Sequence, residues 1–64
     1  MRSWLKELRE KAQMSQAQLA VAVGITQQQY SFIENGKRGV RVATAKKIAA
    51  ALGFDWQRFY DDAK

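Results

Sequence analysis

Four glycines and the absence of proline constrain the fold of this chain most strongly. Gly24, Gly36, Gly39 and Gly53 divide the 64 residues into segments of helical length. Glycine often ends helices because it readily adopts left-handed backbone angles, whereas proline, which breaks helices, does not occur. The segments are rich in Ala, Leu, Gln, Lys and Arg, which favour helices, and they lack strand-like alternation. The sequence therefore predicts an all-α fold.

Apolar residues recur at helical spacing within these segments. Leu5, Leu8 and Ala12 form the first such stripe. The predicted helices cover residues 2–12, 16–23, 27–35 and 42–52, and Asp55 begins a last turn or two. The fourth helix is predicted to bury one face, made of Val42, Ala45, Ile48, Ala49 and Leu52. We expect five short helices in a single domain, residues 1–64.

Several classes of function are excluded by residue types that the chain lacks. It has no cysteine and no histidine, so thiolate metal sites and the usual general base are unavailable. The middle of the chain carries no paired carboxylates, so we expect no enzyme activity, no metal and no cofactor. No stretch is long and apolar enough to span a membrane, and no secretory signal is present. We expect a cytoplasmic protein.

Positive charge is concentrated in the middle of the chain. The formal net charge is +5, and the only acid between Lys11 and Lys47 is Glu34. A basic block of this kind attracts phosphate, which points to a nucleic-acid partner. Charge alone leaves an ordinary solvated face as an equal alternative.

The second and third predicted helices have the form of a helix-turn-helix. Ser15 and Thr26 are suited to cap the two helices, and Gly24 lies at the tight turn between them. This shape is a weak signal alone, but the chain resembles the Cro and lambda-repressor-like, or Xre-type, family in specific residues. These are Leu5, Arg9, Met14, Ser15, Gln16, Leu19, Ala20, Gly24, Thr26, Ile33, Glu34, Asn35 and Gly36. The resemblance covers nearly the whole chain and implies a compact five-helix lambda-repressor-like DNA-binding domain.

The outward face of the third helix holds the predicted base-contacting residues. At about 100° per residue, one side carries Gln27, Gln28, Ser31 and Phe32. A glutamine amide can pair with both the N7 acceptor and the N6 donor of adenine, and an apolar ring can contact a thymine methyl group. Gln29 lies at the packed edge and is not predicted to read bases. The alternatives are a solvated surface for the glutamines and a core or dimer contact for Phe32.

Phosphate contacts are predicted on both sides of this helix. By resemblance to the family, they come from Gln16 at the start of the second helix and from a loop containing Asn35, Lys37 and Arg38. Val40 and Arg41 stand where the family commonly has Pro followed by Ser or Thr, and Arg41 is a further phosphate candidate. Weaker candidates are Lys46 and Lys47, for which solvated charge is favoured.

The resemblance also implies a structural salt bridge between Arg9 and Glu34, which would hold the reading helix at a fixed angle to the first helix. The alternative is two unconnected surface charges. The predicted function is sequence-specific binding to double-stranded DNA by a transcriptional regulator. We expect a bacterial or phage-encoded, Cro-like repressor that binds an inverted repeat as a homodimer, with the third helix in the major groove. An aromatic cluster near the C-terminus is a candidate for part of the dimer contact: Phe54, Trp56, Phe59 and Tyr60. The alternative, which applies above all to Trp56 and Phe59, is that the rings cap the monomer's own core.

Two other possibilities remain open. An antitoxin or adaptor would use the same fold mainly to bind protein, and its reading helix should then carry apolar groups. The chain could also be a piece of a larger repressor, whereas in the leading interpretation it resembles a minimal Cro-like or prophage-type regulator.

Overall fold

A computed structural model describes residues 2–37 and 39–61 of the chain. Over these residues it contains five α-helices and no strand. The helices are α1 (Ser3–Lys11), α2 (Gln16–Val23), α3 (Gln27–Glu34), α4 (Val42–Leu52) and α5 (Arg58–Asp61). The predicted all-α, five-helix fold is therefore confirmed. Across the same residues, none of the helices has the length and apolar character needed to cross a bilayer.

Reciprocal side-chain caps set where α2 and α3 begin. The Ser15 hydroxyl accepts a hydrogen bond from the Gln18 backbone N–H at 3.0 Å, and the Gln18 amide oxygen accepts one from the Ser15 N–H at 2.8 Å. Thr26 and Gln29 repeat the arrangement at 3.0 and 2.9 Å. Each pair is a capping box, which satisfies N–H groups that a helix start leaves without partners. The two caps therefore fix the start of both helices of the helix-turn-helix.

Left-handed glycines end α2 and α4. Gly24 has φ of +77° and Gly53 has φ of +78°, both unfavourable for residues with a side chain. Gly24 reverses the chain between α2 and α3, where the Ile25 N–H donates to the Ala20 carbonyl at 3.0 Å. A substitution at Gly24 would therefore strain the turn that orients α3.

The core lies between α2 and the helices that surround it. α2 packs against both α3 and α4, and α1 packs against α3. The fully buried apolar side chains include Leu5 of α1, Leu19 of α2, Tyr30 of α3 and Ile48 of α4. Because each helix contributes to one core, the angle of α3 depends on packing from α1 and α2.

Aromatic rings attach α5 to the rest of the domain. Trp4, Phe54 and Phe59 are in mutual contact, with ring centroids 5.3 to 5.5 Å apart. Trp56 contacts Tyr60 at 5.9 Å, and the Tyr60 hydroxyl donates to the Val40 carbonyl at 2.7 Å. The four rings of the C-terminal cluster therefore all have contacts within the monomer.

Two apolar residues that the periodicity placed on buried faces are exposed. Ala12 follows the end of α1, because Gln13 takes a left-handed conformation with φ of +58° and stops the helix. Val42 is the first residue of α4 and is 46% exposed, since the helix start extends past the core. Both differences lie at helix ends, where spacing alone does not show how far the packed surface reaches.

Candidate nucleic-acid interface

The two sides of α3 differ sharply in burial. Tyr30, Ile33 and Glu34 are buried, whereas Gln27 and Gln28 are exposed at the start of the helix. The other predicted base-contacting residues, Ser31 and Phe32, are half-buried. The side-chain amides of Gln27 and Gln28, at the start of α3, are therefore accessible to a ligand.

Gln29 is exposed like Gln27 and Gln28, and it differs from them in its local role. Its side-chain oxygen caps α3 by accepting from the Thr26 N–H at 2.9 Å. It also lines a surface cavity of about 430 Å³ between the helix-turn-helix turn and the start of α4, together with Ile25 and Arg41. Gln29 therefore has a capping function that requires no DNA.

Arg9 and Glu34 form a two-point ion pair. Arg9 Nε donates to Glu34 Oε2 at 3.2 Å, and Arg9 Nη2 donates to Glu34 Oε1 at 3.1 Å. The side chains are only 12% and 1% exposed, and Arg9 Nη1 also donates to the Met14 carbonyl at 2.8 Å. The hydrogen bond to Glu34 raises the pKa of Arg9. The pair thus connects α1, the segment before α2, and α3.

Gln16 joins the same buried carboxylate. Its Nε2 atom donates to Glu34 Oε2 at 3.2 Å, and the residue is half-buried. A glutamine amide has two N–H groups, so this bond leaves a second one that could donate to a phosphate. Sequence reasoning assigned Gln16 to phosphate and did not find its contact with Glu34. The available signal was that Glu34 is the only acid in a basic block.

The Tyr30 hydroxyl lies beside this ion pair. Over the residues that the structure describes, it is buried without a hydrogen-bond partner at standard geometry. Burial raises the pKa of Tyr30, and the negative charge of Glu34 raises it further. Tyr30 is therefore a neutral phenol in the folded protein at physiological pH.

Arg2 holds the end of α3 through both its backbone and its side chain. The Arg2 N–H donates to the Glu34 carbonyl at 2.8 Å, and the Arg2 guanidinium donates to the Ile33 carbonyl. Nothing in the sequence pattern assigned Arg2 a role. The C-terminal carbonyls of α3 are thereby partly satisfied by a cation, which the helix dipole favours.

The loop after α3 presents the other predicted phosphate contacts. Asn35, Lys37 and Arg41 are exposed, whereas Arg38 lies outside the described residues. Arg41 precedes α4 and makes no side-chain cap for it. Lys46 and Lys47 are exposed on α4, and Lys46 Nζ lies 5.2 Å from the Trp56 ring centroid. The loop thus carries exposed cations close in sequence to both α3 and α4.

The burial of Glu34 changes the electrostatics of this surface. As the one acid between Lys11 and Lys47, it could have opposed a phosphate backbone. It is instead 1% exposed and neutralised by Arg9. The positive charges of Lys37 and Arg41 are therefore not offset by an exposed carboxylate from the basic block. Among the described residues no cluster of acidic side chains suited to a metal ion is present.

Comparison with known proteins agrees with this geometry. A family model described as Helix-turn-helix matches residues 5–59. The chain belongs to the Xre/Cro-like helix-turn-helix family. The match includes all of α2, the turn at Gly24 and α3, so the element that carries the candidate interface is the one that defines the family.

The family includes relatives of similar length. The uncharacterized HTH-type transcriptional regulator YqaF of Bacillus subtilis (strain 168) is 44% identical over 62 residues, which are 97% of this chain and 82% of YqaF. Control protein C.MunI of a Mycoplasma species is 41% identical over 59 residues, which are 91% of this chain and 80% of that protein.

A longer relative is the HTH-type transcriptional repressor RghR of Bacillus subtilis (strain 168). It is 44% identical over 54 residues, which are 83% of this chain and 40% of RghR. No solved structure matches at comparable significance. Membership of the family and the names of these relatives support a role in DNA-binding transcription regulation.

Proposed function

We propose that this chain is a sequence-specific repressor that binds double-stranded DNA with α3 in the major groove. The observation that carries the proposal is the pair of exposed amides at the start of α3, Gln27 and Gln28, on a helix whose opposite face is buried. In helix-turn-helix proteins the first residues of the second helix reach base edges. Glutamine is suited to read adenine there, because its amide both donates and accepts.

The charges around α3 fit the same proposal. Exposed Lys37 and Arg41 follow the reading helix, and the acid of this region is buried and paired. Contacts to phosphate position a protein on the duplex and give affinity, whereas base contacts give specificity. We assign the first role to Gln16, Asn35, Lys37, Arg38 and Arg41, and the second to Gln27, Gln28, Ser31 and Phe32.

The polarity of α3 favours DNA over a protein partner as the ligand of this face. The large apolar side chains most exposed in the described residues are Val21, Val42 and Tyr60, which lie on α2, α4 and α5. A helix that docks onto protein would be expected to present apolar anchors on its own outward face. On α3 only Phe32 is apolar there, and it is half-buried.

We further propose that the chain acts as a homodimer on an inverted repeat. The reading helix has eight residues, and one such helix contacts too few base pairs to give a useful specificity ratio. A two-fold pair of reading helices would recognise two half-sites about one helical turn apart. Footprinting at saturating protein should show both, and protection of a single half-site would contradict the dimer.

Selection of bound duplexes from a random pool, followed by alanine substitution, tests the assignment of the readers. Gln27→Ala or Gln28→Ala should weaken binding to the selected site by about 1–3 kcal/mol and leave binding to a scrambled duplex nearly unchanged. Gln57→Ala is the matched control, because Gln57 is exposed near α5. Unchanged discrimination in both α3 variants would refute the assignment.

Gln29→Ala separates capping from reading. It removes the side-chain hydrogen bond that Gln29 contributes to the capping box and should cost about 0.5–1.5 kcal/mol of folding stability. Its ratio of specific to nonspecific affinity should stay unchanged. A loss of that ratio would show that α3 is rotated relative to the orientation proposed. Repression itself is tested with the selected site placed over a reporter promoter, whose expression should fall.

A further inference from the structure

The only asparagine in the chain, Asn35, is followed by Gly36. Both residues are exposed at the end of α3. The backbone nitrogen of a glycine is unhindered, because glycine has no Cβ, and it can approach a preceding asparagine amide more easily than that of any other residue. This dipeptide lies where α3 ends and the following loop begins, and most of the proposed phosphate contacts lie in that region.

We propose that Asn35 is a site of spontaneous deamidation whose rate is controlled by the C-terminal cap of α3. The Gly36 backbone nitrogen attacks the Asn35 Cγ atom and forms a new C–N bond. The side-chain nitrogen leaves as ammonia, taking up the proton released by Gly36, and a five-membered cyclic imide results. Water then opens the imide at either carbonyl, giving aspartate or isoaspartate at position 35.

The folded structure opposes the first step. The Gly36 N–H donates to the Ile33 carbonyl at 3.1 Å, and the Lys37 N–H donates to the Phe32 carbonyl at 3.0 Å. These two bonds, with Gly36 at φ of +74°, form a Schellman cap. The attacking nitrogen is thus engaged in the cap, and Asn35 is held at φ of −77° and ψ of −7°.

A third bond holds the group that is attacked. Asn35 Nδ2 donates to Ser31 Oγ at 3.3 Å, one turn earlier on the exposed side of α3. The reaction therefore requires the last turn of α3 to open. Helix ends open locally at far lower cost than global unfolding, so the cap sets the rate without abolishing the reaction.

The product has consequences for DNA binding, and this part of the inference rests on the proposed function. Aspartate places a negative charge at the C-terminal end of a helix, where the helix dipole disfavours it, and close in sequence to Lys37. Isoaspartate also inserts a methylene group into the backbone where the Schellman cap forms. A unit charge added about 4 Å from a phosphate lowers affinity about sixfold in water. Deamidation would therefore act as a slow, irreversible reduction of DNA affinity.

Intact-mass measurement during incubation of the whole chain at mildly alkaline pH tests the modification itself. The wild-type protein should gain the mass difference between an amide NH₂ and a hydroxyl, and peptide mapping should place aspartate and isoaspartate at position 35. Asn35→Gln is the matched control, because it keeps the amide but forms the corresponding imide much more slowly. Equal rates of mass gain in wild type and Asn35→Gln would overturn the proposal.

The cap's control of the rate has its own test. Ser31→Ala removes the acceptor of the Asn35 amide, and denaturant opens the cap entirely, so both should accelerate the mass gain. A rate that is identical in native buffer and in denaturant would show that the cap exerts no control.

DNA binding by Asn35→Asp tests the consequence separately. The affinity of Asn35→Asp should be about sixfold lower for each subunit than that of the uncharged Asn35→Gln, on both the selected and the scrambled duplex. Equal affinities of these two variants would overturn the effect of the charge while leaving the modification intact. If wild type binds no duplex at all, the proposed function fails, and the mass measurements still decide whether Asn35 deamidates.

Discussion

Replacing Arg9 with methionine should remove a large part of the stability of this domain. Methionine preserves the length and much of the volume of the aliphatic part of arginine. It eliminates both hydrogen bonds to Glu34 and the one to the Met14 carbonyl. In this variant the buried Glu34 carboxylate keeps the hydrogen bond from the Gln16 side chain.

The magnitude follows from the burial of the carboxylate. Glu34 is 1% exposed, and removing one partner of a buried ion pair generally costs about 3–5 kcal/mol. We expect a loss of about 3 kcal/mol. The total stability of a domain of this size is about 3–10 kcal/mol, so Arg9→Met lies near the limit of folding.

The opposite substitution should cost less, and the difference can be measured. In Glu34→Leu, Arg9 keeps its bond to the Met14 carbonyl and its partial access to solvent. The double variant buries no lone charge, so it should be more stable than the sum of the single losses implies. We expect a coupling of more than about 1 kcal/mol in the double-mutant cycle.

Urea unfolding followed by tryptophan fluorescence measures the stability of all four proteins. Additivity of the two single losses within about 0.5 kcal/mol would refute the reasoning.

Three further predictions concern charge, protonation and backbone strain. In binding titrations, the slope of log affinity against log salt concentration should be about −0.9 for each phosphate contacted. Lys37→Gln should make that slope less steep by about one unit. Burial raises the pKa of Tyr30, so at high pH the folded state keeps a proton that the unfolded chain loses. The free energy of unfolding in urea melts should therefore fall above about pH 10, and it should fall less in Tyr30→Phe. Gln13→Gly should stabilise the fold by about 0.5–1 kcal/mol in the same melts, because Gln13 has φ of +58°.

Local chemistry made the helices predictable from the sequence. Ser15 and Thr26 are good caps, each followed three residues later by a glutamine, and Gly24 and Gly53 follow the last apolar residues of their helices. These signals act between neighbours in the chain, and the structure uses them at those positions. The exposed positions of Gln27 and Gln28 were also predictable, because helical rotation determines which residues oppose a buried face.

Contacts between distant segments were not predictable in the same way. Gln16 and Glu34 are 18 residues apart, and the hydrogen bond between their side chains depends on how α2 packs against α3. The contacts of Arg2 with the end of α3 depend on how α1 packs. Family resemblance supplied the Arg9–Glu34 pairing, whereas residue spacing alone left two unconnected charges as an alternative. Contacts between residues far apart in the sequence could therefore be assigned only from family resemblance or from the structure.

The position of Glu34 explains how the proposed DNA-binding surface can contain an acid. An exposed carboxylate on α3 would repel phosphate, whereas a buried unpaired one would destabilise the fold. Pairing with Arg9 avoids both effects, and the planar guanidinium restricts the angle between α1 and α3 through two hydrogen bonds. An apolar pair of similar volume would also avoid both effects, but would not impose that directional restraint. The ion pair is therefore better explained by the orientation that it gives α3, the proposed reading helix, than by stability alone.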